Sequence, residues 1–233
     1  MSLFPRRLTR AGFAEARLLW LLLGVSGALL LLLKISAEIV EGDTLAFDRA
    51  ILIWLRSVTG GDDMPSAWLR RFMHDMTTLG DNGLLSMLAI LATGFLIAAG
   101  KKRLGGLLGI GIILGVIASA LLKLAFARAR PDVVAHLVDV STASFPSGHA
   151  MNSALVYLTI GVLLARGQPL RAARIYILAT AVTITLLIGL SRLYLGVHWP
   201  TDVLVGWIFG AGWAAMIASA AGRLQTRGAI EQA

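Results

Sequence analysis

The chain has 233 residues, of which 57% are hydrophobic and 15% charged, and its mean hydropathy is +0.79. Soluble domains average about 45–50% apolar and about 25% charged residues, so this composition excludes a soluble globular domain, a disordered chain and a coiled coil. Cysteine is absent, which excludes disulfides and Cys-based metal sites. The formal net charge of +8 would suit nucleic acid, but its distribution along the chain points to membrane topology instead.

A membrane helix needs about 20 largely apolar residues. Six stretches qualify in chain order: 18–35, 84–99, 104–126, 149–164, 172–190 and 202–221. None alternates with period two, which argues against a β-barrel. The first stretch follows Arg6, Arg7, Arg10 and Arg17 and has small residues at Ser36 and Ala37, so a signal peptide is conceivable. Its apolar run is long for a signal, and Lys34 and Glu38 flank the site poorly, so a retained span is expected. The connection 36–83 carries two amphipathic stripes. Phe47, Ile51, Trp54, Leu55 and Val58 form one, with Asp48, Arg49 and Arg56 elsewhere; Trp68, Phe72, Met76 and Leu79 form the other, beside Arg70, Arg71 and Asp75. Such helices usually lie in the interface, where they would either pack on the bundle or cover a lipid entrance. The expected fold is thus all-α: one integral membrane domain over 1–233, six transmembrane helices, and interfacial helices in the first outer loop.

Six spans place both termini on one side. That side, with the Lys101–Lys102–Arg103 connection and the loop from Arg166 to Arg174, holds 12 basic and two acidic residues, a net +10. The other side holds nine basic and 11 acidic residues, a net −2. The positive-inside rule then places both termini in the cytoplasm.

Three clusters of chemistry-bearing residues fall on the outer side. The first is Lys123-Leu-Ala-Phe-Ala-Arg-Ala-Arg130-Pro131. A seven-residue spacing puts Lys123 and Arg130 on one face of a helix continued to Pro131, with Arg128 offset by about 200°. Two convergent cations suit phosphate, though snorkelling to lipid head groups would explain them too. The second, Ser144-Phe145-Pro146-Ser147-Gly148-His149, sits where a helix begins and where unpaired N–H groups favour an anion. There Ser147 could cap the helix or donate to phosphate, Gly148 lets the backbone come close, and His149 could be a general acid. The third runs from Ser191-Arg192 through His198 to Asp202. In a helical turn a carboxylate four residues on would reach the imidazole, fix its tautomer and sharpen its other nitrogen as a nucleophile. Taken singly, Asp202 could equally be a helix N-terminal charge and His198 an interfacial histidine.

Together the clusters resemble the type 2 phosphatidic acid phosphatase superfamily, which includes lipid phosphate phosphatases and vanadium haloperoxidases. Its signature is K-x6-R-P, P-S-G-H and S-R-x5-H-x3-D, and the chain reads Lys123…Arg130-Pro131, Pro146-Ser147-Gly148-His149 and Ser191-Arg192…His198…Asp202. The resemblance implies His198 as the nucleophile that becomes phosphohistidine, Asp202 as its orienting partner, and His149 as the acid that then serves as base. It implies Lys123, Arg130, Arg192, Ser147 and Gly148 as the phosphate cradle. Three fixed cations can neutralise a transferring phosphoryl group, so neither metal nor cofactor is expected. Asp132 and Asp139 are read as loop residues, and His74 and His136 as non-catalytic.

The resemblance implies a phosphatase acting on a lipid phosphate or diphosphate, with membrane lipids and no nucleic acid as partners and no protein partner indicated. The compact chain and the lack of an Asn-x-Ser/Thr sequon suit a bacterial inner membrane. The preferred substrate is undecaprenyl diphosphate, with Arg128, Arg70 and Arg71 as extra phosphate contacts. The alternative is a broad-range glycerophospholipid phosphatase acting on phosphatidic acid or phosphatidylglycerophosphate. A haloperoxidase is disfavoured by the spans, and an anion-binding or transport protein by the second histidine.

Overall fold

The computed structural model describes residues 45–60, 66–126 and 128–231. These form seven helices: α1 Leu45–Val58, α2 Ala67–Thr78, α3 Asn82–Ala98, α4 Lys102–Ala125, α5 Gly148–Arg166, α6 Arg171–Tyr194 and α7 Pro200–Thr226. No strand occurs among the described residues. Helices α4 to α7 are each long and apolar enough to cross a membrane. Helix α3 has 17 residues and joins α2 at a 47° bend, and the two together count as a fifth, broken span. Five of the six expected spans fall on described residues, which hold four spans, or five with the bent pair; the expected span 18–35 lies outside them.

The architecture is an all-α membrane bundle. Helix α5 is its centre, packed most extensively on α7 and α6 and also touching α4 and α3. Its first two turns are almost wholly buried, whereas α4 turns Ile110, Ile113, Leu114 and Leu121 outward. A lipid-facing helix exposes apolar side chains because hydrocarbon, not water, is the solvent there.

Close packing of α5 on α7 depends on small residues. A Cβ at Gly206 would lie 3.0 Å from the Met151 nitrogen, and one at Gly210 would lie 2.5 Å from both the Met151 oxygen and the Ala154 Cβ. The two glycines are four apart, so they clear one face and let the backbones meet, as in other membrane helix pairs. This contact sets the first turn of α5 beside the first turn of α7, where Ser147 N–H donates to the Asp202 carbonyl at 3.2 Å.

Two expectations about helices are corrected. Helix α4 stops at Ala125, and Phe126 is extended (φ −120°, ψ 99°), its ring packed edge-on at 5.1 Å from Phe145. Arg130 therefore belongs to the loop that leads to α5 and shares no helix face with Lys123. Pro131 contributes, since a residue before proline is driven from the helical region. Helix α1 is also turned around. Its buried face is Asp48, Leu52 and Arg56, while Phe47, Trp54 and Val58 point outward, Trp54 at 61% exposure. In α2, Leu69 and Met73 face the core, and Trp68 is exposed.

The α5–α7 contact makes opposite outcomes at neighbouring glycines. Gly210→Ala should cost about 1–3 kcal/mol by overpacking. At Gly212 nothing lies within 4 Å of a new Cβ, so Gly212→Ala should gain about 0.5–1 kcal/mol from helix propensity. Thermal unfolding in detergent distinguishes the two signs.

Candidate active site

Four helix ends converge at one end of the bundle. Lys123 is in the last turn of α4, Gly148 and His149 open α5, Arg192 is in the last turn of α6, and Asp202 is in the first turn of α7. With the α2–α3 bend and the loop before α5 they enclose a cavity of about 560 Å³, lined by Lys123, Arg130, Gly148, His149, Arg192 and His198 among others. The basic connection Lys101–Arg103 and the Arg166–Arg171 turn lie at the opposite ends of these helices.

Backbone geometry delivers His198 to the wall. After α6 the chain turns at Gly196, whose φ of +74° suits glycine because a Cβ there would sit 2.7 Å from the Ala135 oxygen. Pro200 then starts α7, a position where its missing N–H costs nothing. The Asp202 carboxylate reaches back to cap this helix, accepting from Trp199 N–H at 2.9 Å.

That same carboxylate stands behind His198. Asp202 Oδ2 is 3.5 Å from His198 Nδ1, a charge contact longer than a good hydrogen bond. Ser144 Oγ donates to Oδ2 and also lies 3.4 Å from Nδ1. Asp202 Oδ1 accepts from Arg128 Nη1 at 2.6 Å. His198 is buried, and burial lowers its pKa to about 4 against the opposing pull of Asp202, with Arg192 and Arg130 adding to the fall. The ring is neutral at pH 7, its Nδ1 committed to the Asp202 side.

The second histidine has a carboxylate of its own. His149 Nε2 is 2.9 Å from Asp81 Oδ1, at the α2–α3 bend. The bend is tight there, since a Cβ at Gly80 would come within 3.1 Å of His149 Cδ2. The two arginines of the cavity are anchored by neutral groups. Arg192 Nη1 donates to Thr77 Oγ1 at 2.7 Å, and Arg130 donates to the Thr142 carbonyl at 2.7 Å and the Val197 carbonyl at 2.6 Å.

Of the expected site residues, Lys123, Arg130, Gly148, His149, Arg192 and His198 line one cavity, and Asp202 stands one layer behind. Ser147 does not line it; its hydroxyl is buried and has no partner among the described residues. Arg128, expected as an extra phosphate contact, is instead engaged by Asp48 and Asp202. Arg70 and Arg71 are exposed on α2 and do not line the cavity. His136 bonds the Pro131 carbonyl at 2.7 Å, Asp132 makes a 3.7 Å surface pair with Arg49, and His74 and Asp139 reach the cavity rim.

Sequence reasoning missed Asp81, Asp48, Ser144 and Thr77. Asp81 stood just ahead of an apolar run, where a capping residue is expected. Asp48, Leu52 and Arg56 recur every four residues, a second stripe about a third of a turn around the helix from the apolar one. Ser144 stood in the second cluster without a role of its own and Thr77 left no signal, because their partners are far away in the chain.

An α-helical membrane protein with three cations and two carboxylate-backed histidines around one cavity is a phosphate-processing membrane protein. Residues 104–225 match the family model of the PAP2 superfamily. The chain is 38% identical over 149 residues to phosphatidylglycerophosphatase B of Bacillus subtilis, covering 61% of this chain and 70% of that protein. A crystal structure of a transmembrane PAP2-type phosphatidylglycerolphosphate phosphatase from Bacillus subtilis superposes with a TM-score of 0.76 at 30% identity, covering 87% of this chain and 98% of that one. Undecaprenyl-diphosphatase of Sulfolobus acidocaldarius is 29% identical over 115 residues, 47% of this chain and 52% of that protein. The chain belongs to the PAP2 superfamily and is a membrane lipid phosphate phosphatase.

The unfolded chain takes up a proton on His198 near pH 6.5, which the fold refuses until about 4. The stability held by the neutral ring is therefore whole above pH 6.5 and lost as the pH falls through that window. In ¹⁵N spectra of histidine-labelled protein, His198 should remain neutral at pH 5; a protonated ring at pH 6 would contradict this geometry.

Proposed function

We propose that the protein hydrolyses a glycerophospholipid monophosphate, phosphatidylglycerophosphate or phosphatidic acid, through a phosphohistidine. The observation that carries this is the number of cations that reach the cavity. Lys123, Arg130 and Arg192 line it, enough for the equatorial oxygens of one phosphoryl group. A diphosphate such as undecaprenyl diphosphate would need further neutralisation. Arg128, its best source in sequence, is spent on two buried carboxylates. The higher identity and coverage of the phosphatidylglycerophosphatase relatives support the same choice.

In the proposed reaction His198 Nε2 attacks phosphorus while its Nδ1 faces Asp202. The P–O bond to the lipid breaks, and the leaving oxygen takes a proton from His149. Deprotonated His149 then takes a proton from water, which attacks the phosphohistidine and releases phosphate and free His198. Arg130 and Arg192 are already oriented by hydrogen bonds to neutral groups, so their electrostatic stabilisation is in place before the charge shifts. Ser119, Thr78, Asn82 and Asn152 also line the cavity, alongside Val116 and Ala120, and offer hydroxyl and amide partners to a glycerol head group.

With purified protein in mixed micelles and excess chelator, phosphatidylglycerophosphate and phosphatidic acid should exceed undecaprenyl diphosphate in kcat/KM by about tenfold or more, the worth of one charge-assisted contact of about 1.5 kcal/mol. A preference for the diphosphate would overturn the substrate assignment, and loss of activity with chelator would overturn the metal-free mechanism.

The two histidines should fail differently. His198→Ala should form no phosphoenzyme. With an aryl phosphate, whose leaving group needs little protonation, His149→Ala should still be phosphorylated and should accumulate acid-labile label, with turnover lower by about 10²–10⁴-fold. Rapid quench and mapping of the labelled residue decide this; label on His149 in the wild type would reverse the roles.

A further inference from the structure

Asp48 is a completely buried carboxylate on α1, outside the stretch that matches the family model. Its Oδ1 accepts from Thr201 N–H at 3.0 Å. Its Oδ2 accepts from Thr201 Oγ1 at 2.7 Å and from Arg128 Nη2 at 2.8 Å. Through its other nitrogen, Nη1, Arg128 donates to Asp202 Oδ1 at 2.6 Å and to Thr201 Oγ1 at 2.9 Å. Arg128 also lies over the Trp199 ring, 5.5 Å from its centroid. The result is a line of alternating charge, Asp48 to Arg128 to Asp202, that ends on the imidazole of His198.

We propose that Asp48 is a positioning residue for phosphoryl transfer, holding Asp202 through Arg128 in the orientation that serves His198. The inference rests on the reading of His198 as nucleophile.

The physical reason is charge sharing. A buried guanidinium facing one carboxylate would neutralise it and draw it away from the imidazole. Shared between two carboxylates, it leaves one net negative charge on the three groups. That charge balances the positive charge that develops on His198 as Nε2 bonds to phosphorus. Only the planar fork of arginine can bridge both carboxylates at these distances. Asp48 also fixes Thr201 from both its N–H and its hydroxyl, so the first turn of α7, which carries Asp202, is held from the same point.

The test uses the full-length protein in detergent with an aryl phosphate. Asp48→Asn keeps the shape and an acceptor for Thr201 N–H but removes the charge. It should slow His198 phosphorylation by about 10–100-fold, the usual effect of losing a partner behind a site residue, with KM within about twofold. In ¹⁵N-histidine spectra, simple because the chain has 4 histidines, the His198 Nδ1 signal should shift. Arg128→Lys should have the same effect, and the double variant should be little worse than either single one, since both break one line. Leu52→Ala, on the same buried face of α1, controls for seating of the helix. It should lower thermal stability while leaving the His198 signal and the phosphorylation rate in place.

A phosphorylation rate within twofold of wild type in both Asp48→Asn and Arg128→Lys would overturn the inference. So would a Leu52→Ala variant that reproduces the Asp48→Asn loss and shift, because Asp48 would then act only by seating α1. If Asp48→Asn does not fold, Arg128→Lys carries the same test. Wild-type label mapping away from His198 would instead sink the nucleophile assignment, a separate outcome from the failure of Asp48.

Discussion

The site depends on keeping one buried carboxylate ionised. Asp202 has no exposure, and an unpaired charge so placed would cost several kcal/mol. The protein meets that cost with Arg128, the Ser144 hydroxyl and the Trp199 N–H. Arg128 and Ser144 stand near opposite ends of the single loop between α4 and α5, and Trp199 stands just ahead of α7, so satisfying Asp202 draws both ends of that loop to the start of α7. The residue that caps α7 is also the one that turns His198. Helix capping and site geometry thus share one carboxylate.

The cations pose the converse problem. Lys123, Arg130 and Arg192 face one cavity, and like charges at that spacing repel. The two arginines are held by neutral groups: backbone carbonyls for Arg130 and the Thr77 hydroxyl for Arg192. Carbonyl and hydroxyl partners fix direction without cancelling charge, which leaves the positive field available to an anion. Arg128 shows the opposite arrangement: two buried carboxylates direct its charge into the scaffold. The difference between an arginine that faces the cavity and one spent in the scaffold thus lies in the partner, not in the residue type.

Helix α1 shows that an apolar stripe need not be the buried face. Its apolar stripe would seek a core in water. In the fold Phe47, Trp54 and Val58 of the stripe are exposed, and Asp48 and Arg56 turn inward, where Arg56 Nη2 donates to the Ala135 carbonyl at 2.9 Å. Polar groups facing inward must find protein partners, and those partners are the loop and helix start that carry the site.

Local information settled much of this protein. Apolar runs of membrane length marked α4 to α7, because hydrocarbon admits little else than satisfied helices. The spacing of Lys123, Arg130, His149, Arg192, His198 and Asp202 marked residues that the fold gathers in or behind one cavity, because those residues are close to helix ends whose positions the runs already bound. What the sequence could not decide was every relation between distant segments. The end of α4 at Ala125, set by the packing of Phe126 on Phe145, took Arg130 off the helix face that its spacing suggested. Arg128 and Arg130 are two residues apart and look alike in sequence. One lines the cavity and the other does not, because Asp48, 80 residues earlier, waits for only one of them. Asp81 became a partner of His149 only through the bend at Gly80. A charged residue's role depends on which opposite charge or cavity the fold brings within a few ångströms, and that is a property of packing rather than of order along the chain.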